Sequence, residues 1–138
     1  MLELLRSDFR TQKTALVTAA MVLKDSQADA FWKIYREYDF EQTKLGDKSL
    51  ALLKEYAGVY EKINDEQADK IMAQAFKNQK ARLDLRTKYY KTFKKQLGGV
   101  VAARFAQVDK QISDLVEVQI ASQLPLIGRK QAQDVQAK

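Results

Sequence analysis

From Asp25 to Leu97 the chain contains no proline, and Gly46 and Gly58 are its only glycines. Over the same stretch apolar side chains recur every three or four residues, the spacing that keeps them on one face of a helix. The series runs through Phe31, Tyr35, Tyr38, Leu45, Leu52, Tyr56 and Ile63, and resumes through Ala68, Met72, Ala75, Phe76, Leu83, Tyr90, Phe93 and Leu97. Gln42 and Ser49 occupy two of its slots. One string occurs twice, as "LKDSQADAF" at 23–31 and "INDEQADKI" at 63–71, so that Asp25, Gln27, Ala28 and Asp29 return as Asp65, Gln67, Ala68 and Asp69. Each copy has the marks of a helix start. Asn64 is a capping residue, and Gln67, three positions on, is placed to reach back to the cap's own N–H. In the first copy Lys24 stands at the cap position, and Asp25 is the expected substitute cap, with Gln27 in the place of Gln67.

The spacing therefore predicts helices over about 3–22, 25–61 and 65–97. The glycine pair in "LGGV" (97–100) breaks the pattern, and a fourth helix follows through Phe105, Val108, Ile112, Leu115 and Val116 to a stop before Pro125. A helix over 25–61 would be roughly 50 Å long, which implies an elongated molecule. Folding the second and third helices into an antiparallel hairpin opposes residues whose numbers sum to roughly 127. Tyr35 then faces Phe93, Tyr38 faces Tyr89 or Tyr90, Leu45 faces Leu83 and Tyr56 faces Met72. Arg86 falls near Asp39 or Glu41 as an ion pair. The fold class expected is all-α: an elongated hairpin with additional N- and C-terminal helices, one domain over 1–128. The segment 129–138 has no apolar face and is expected to be a disordered tail.

The chain has neither Cys nor His. Thiol catalysis, disulfides, Cys/His zinc sites and histidine acid–base chemistry are excluded together. A di-iron bundle site of the Glu-x-x-His kind is excluded for the same reason. No phosphate-cradling glycine loop is present. The expectation is a protein that is not an enzyme and takes no cofactor or metal. The longest uncharged runs, "TALVTAAMVL" (14–23) and "VQIASQLPLIG" (118–128), are too short to span a bilayer.

Two copies of an L-x-x-x-Q-like start, Leu23–Gln27 and Ile63–Gln67, each opening a long helix, resemble the LTxxQ motifs of the Spy/CpxP family. The strings "ALVTAAMVLKDSQADAFWKIYREY", "LRTKYYKTFKKQL" and "ARFAQVDKQISDLVEVQIASQLPL" are similar to small secreted, uncharacterised bacterial relatives of that family. The motifs are not strict, since Lys24 and Asn64 stand where the family has Thr. The resemblance implies a periplasmic homodimer that serves as an ATP-independent chaperone or a stress-response adaptor. Arg6, Asp8 and Arg10 interrupt any leader-like stretch, so a periplasmic location implies a leader already removed.

The net charge of +6 is concentrated on the third helix, where nine bases meet two acids between Asp69 and Lys95. Lys77, Lys80, Lys88, Lys91 and Lys95 fall opposite Met72, Phe76, Leu83 and Tyr90 on a helical wheel. They form either a solvated face or a positive surface that steers unfolded clients. Trp32 and Phe40 lie off the hairpin stripe, either buried under the first or fourth helix or exposed for a partner. Together these seven residues are the expected client-binding set. The alternative is a regulatory adaptor that binds one folded sensor partner. Nucleic acid is the weaker alternative, because helices this long leave no helix-turn-helix.

Overall fold

The structure, a computed structural model, describes residues 2–128, with side chains from Phe9 onward. It is all-α: helices α1 (Leu2–Met21), α2 (Asp25–Val59), α3 (Asp65–Leu97) and α4 (Gly99–Gln123), with one turn of 3₁₀ helix at Tyr60–Lys62 between α2 and α3. Among the described residues there is no strand. The expected tail, 129–138, lies outside the described residues.

The second copy of the repeat forms the full capping box. Asn64, with extended backbone, accepts from the Gln67 N–H at 2.8 Å, and the Gln67 side chain accepts from the Asn64 N–H at 3.1 Å. The first copy forms only half of it. The Gln27 side chain accepts from the Lys24 N–H at 3.1 Å, but the Lys24 ammonium has no lone pair, so the Gln27 N–H turns to the Lys24 carbonyl at 2.9 Å. Asp25 is not the cap. It is the first helical residue, where the helix dipole favours its carboxylate.

Gly98 ends α3 and starts α4 by itself. Its N–H donates to the Lys94 carbonyl at 3.0 Å, and its own carbonyl accepts from the Ala102 N–H at 3.1 Å. The backbone there has φ 90 and ψ 164, a region essentially closed to residues with a side chain. Placing both helix ends on one residue folds α4 directly back along α3.

The core sits at the open end of the hairpin and draws on every helix: Val17 and Met21 from α1, Phe31, Ile34, Tyr35 and Tyr38 from α2, Tyr89 and Phe93 from α3, and Val101, Ala102, Phe105 and Ile112 from α4. Phe31 is its centre, with ring centroids 5.2 Å from Phe93 and 5.5 Å from Phe105. The hairpin register holds at Tyr38, whose ring lies 5.2 Å from Tyr89. It is Phe31, rather than Tyr35, that meets Phe93.

Towards the hairpin turn the core thins to Tyr60, Ile71 and Asn78. Here the expected seam is wrong by one position. Met72, Phe76 and Leu83 are exposed, and the buried row of α3 is Ile71, Asn78, Tyr89 and Phe93 with Leu85 partly covered. A shift of one residue turns a helix by ~100°, so the buried row faces α2, with Tyr89 against Tyr38, and the exposed row falls on the α4 flank, where Leu83 borders α4. Asn78 holds its seam position because Gln74 donates to its Oδ1 at 2.8 Å. The chain beyond α4 returns to the hairpin turn, where the Tyr56 hydroxyl donates to the Pro125 carbonyl and the Gly128 N–H donates to the Tyr60 carbonyl at 2.7 Å. The chain after α4 is therefore tied to the end of α2 and to the 3₁₀ turn.

Candidate functional site

Four helices meet at one buried carboxylate. Asp109 of α4 is 1% exposed and follows Ala102 and Phe105 in the apolar row of that helix. The Tyr38 hydroxyl of α2 donates to its Oδ2 at 2.5 Å. Arg86 of α3 brings Nε to 3.6 Å from the same oxygen, and Lys13 of α1 brings Nζ to 3.5 Å from Oδ1. Lys13 is itself only 6% exposed, and its ammonium also donates to Gln42 at 3.0 Å. A charge this deep is tolerable only when paired and hydrogen-bonded. Burial, the Asp109 charge and the hydrogen bond to Asp109 all hold the Tyr38 phenol well above its ordinary range. Burial, with Asp39 nearby, pushes Tyr35 up to about 12.

Arg86 thus pairs with Asp109, not with Asp39 or Glu41 as the hairpin register predicts. Asp39 meets Arg10 of α1 at 3.7 Å, and Glu41 meets Lys88 at 3.7 Å. The sequence did carry a signal for the network. Lys13 precedes Val17 and Met21 at four-residue spacing, and Asp109 stands between Phe105 and Ile112. Each is a charge in an apolar register, and the two have opposite sign.

The expected client-binding residues do not converge. Trp32 is half-buried at the edge of the core, with its ring 5.0 Å from Phe31 and 5.1 Å from Tyr35. Phe40 is 64% exposed on the outer side of α2, with the Lys44 ammonium 4.4 Å from its ring. Lys77, Lys80, Lys88, Lys91 and Lys95 are all exposed along some 27 Å of α3. Lys80 is held by Asp84 at 2.8 Å and Lys88 by Glu41. On α3 the apolar surface that stands open is Met72, Phe76 and Leu83, the last two 59% exposed. Leu83 lines two shallow clefts between α3 and α4, of about 110 and about 190 Å³. Both fall short of the ~300 Å³ at which pockets for drug-sized ligands begin.

Among the described residues no helix is long and apolar enough to cross a membrane, and no cluster of acidic residues gathers as a metal site. No family model, curated protein or solved structure matches the chain.

Proposed function

We propose that the chain is a non-enzymatic, ATP-independent chaperone or envelope-stress protein of Spy/CpxP type that works in the periplasm as a homodimer and holds partly unfolded clients on α3. The observation that carries this reading is the open row Met72, Phe76 and Leu83. Three large apolar side chains stand out in water within about three turns of one helix, roughly 100° round it from its lysine-rich flank. Such a row gains by covering apolar segments of another chain, at ~25 cal/mol per Å² removed from water. Lys77, Lys80, Lys91 and Lys95 supply the long-range attraction that brings acidic segments to it, an effect that salt screens over ~8 Å at physiological strength. The shallow clefts beside Leu83 offer no enclosed site for a small substrate, which favours a macromolecular partner. The periplasmic location rests on the resemblance of the two helix starts to the LTxxQ motifs.

The test is light scattering of an aggregating client with equimolar protein, at low and high salt, for the wild type and for Phe76→Glu. The expected result is suppression that weakens with salt and is lost in the variant. Equal suppression by Phe76→Glu would remove the apolar row from the reading. Absence of suppression, with saturable one-to-one binding of a folded sensor domain, would replace the chaperone by an adaptor.

A further inference from the structure

We infer that two copies of the chain pair through the outer faces of α1 and α4, about a two-fold axis at the level of the Lys13–Asp109 ion pair. This names the face for the homodimer of the proposed function and does not depend on what the clients are.

Three features carry it. The first is the missing charge. Charged residues make up 30% of the chain, yet from Thr11 to Met21 the sole charged residue of α1 is Lys13, which is buried. The solvent side of that helix is Gln12, Ala15, Leu16, Ala19 and Ala20. On α4 the exposed residues Val100, Ala103, Gln107, Gln111, Leu115 and Val118 are uncharged, with one charge of each sign, Arg104 and Asp114, among them, and Leu115 and Val118 are 68% and 66% exposed. An ordinary solvated helix face is rich in charge, whereas the centre of an interface is depleted of it.

The second is that the two helices form one surface. They run antiparallel and are joined at two levels, by Lys13 with Asp109 and by Arg104, which donates to the Met21 carbonyl at 2.9 Å. The described face, ~20 Å of α1 (9–21) and ~28 Å of α4 (100–118), each ~10 Å wide, presents on the order of 500 Å² in projection, and side-chain relief raises this towards the ~800 Å² per partner of a standard interface.

The third is that the surface complements itself. About a two-fold axis perpendicular to the helices each helix meets its own copy antiparallel, so that opposed residues have numbers that sum to a constant. On α4 a sum of about 218 sets Val100 against Val118′, Ala103 against Leu115′ and Gln107 against Gln111′, so apolar meets apolar and amide meets amide. That constant places the axis at residue 109. On α1 a sum of about 25 sets the exposed Phe9 against Leu16′ and places the axis beside residue 13. Residues 13 and 109 are the pair already in contact, so both helices ask for the same axis. A partner of other sequence has no reason to meet this internal symmetry. A second copy meets it automatically.

Sedimentation equilibrium of the full chain should give a dimer for the wild type and a monomer for Leu16→Glu and Val118→Glu, with helical circular dichroism retained. The absence of native cysteine allows a register test. Ala103→Cys and Leu115→Cys proteins should each fail to cross-link alone, because like positions lie far apart (about 18 Å for residue 103), and should form a disulfide dimer when mixed. A monomeric wild type would overturn the inference, as would a dimer that survives both glutamates. Cross-linking of the Ala103→Cys protein by itself would overturn it too, since that requires parallel pairing. Client protection is scored separately with Phe76→Glu, so failure of this face and failure of the chaperone reading are told apart.

Discussion

Replacing Asp109 by Asn keeps the shape of the side chain and removes its charge. Lys13, 6% exposed, is then left with only the Gln42 amide as a close partner, while Arg86, with 28% of its side chain exposed, retains access to water. At 3.5 Å and an effective dielectric near 20, each cation's attraction to the carboxylate is ~5 kcal/mol, most of which offsets the cost of burial. Removing one member of such a buried set costs ~3–5 kcal/mol, and Asp109→Asn is expected to cost about 3 because Arg86 relaxes outward. Lys13→Met should cost only ~1 kcal/mol. Asp109 then keeps Tyr38 and Arg86, and a methionine fits beside Val17 and Met21. The double variant should be more stable than Asp109→Asn alone by ~2 kcal/mol, since the stranded ammonium is gone. Urea unfolding at one fixed protein concentration measures all three, and a thermal melt should place Asp109→Asn ~10 °C below the wild type. A loss under 1 kcal/mol for Asp109→Asn, or a larger loss for Lys13→Met, would refute the asymmetry and with it the view that the carboxylate organises the node.

Three further outcomes concern the two caps and the Tyr35 phenol. Lys24→Ser should raise stability by ~0.5–1 kcal/mol, because Lys24 already has the extended cap backbone and lacks only an acceptor for the Gln27 N–H; Asn64→Ala should lower it by ~1 kcal/mol, both read by urea unfolding. Tyr35 has a folded pKa raised from 10.0 to about 12, so its contribution to stability is complete below pH 10 and is lost as pH rises towards 12. Tyr35→Phe should therefore flatten the fall in stability over that window by up to ~1.4 kcal/mol per pH unit, and an unchanged slope would show that the phenol ionises as freely when folded.

The sequence alone determined the linear plan. Proline is absent where the helices run and only Gly46 and Gly58 fall between Asp25 and Leu97, the two Gln-bearing starts mark α2 and α3, and Gly98 marks the reversal into α4. Each of these is a local matter of backbone freedom and unpaired N–H groups, so it is legible without knowing what the helix touches. The start of α3 and its last residue, Leu97, fell where the spacing placed them. Only the tertiary structure decided which apolar row turned inward. Ile71 and Tyr89 and the competing row Met72, Phe76 and Leu83 both fit helical spacing, and they differ by a rotation of ~100° that is decided by what α3 packs against, Tyr89 meeting Tyr38 of α2. The sequence assigned the second row to the core, and the open apolar surface was missed for that reason. Tertiary structure likewise decided the partners of Arg86. A hairpin register can propose only neighbours on the other arm, Asp39 or Glu41, whereas the carboxylate it meets comes from α4. Lys13 and Asp109 were visible as charges in apolar rows, but nothing local says that two such charges, ninety-six positions apart, share one site. Local energies write a helix into the chain; the long-range choice of which face to bury is made by whatever packs against it.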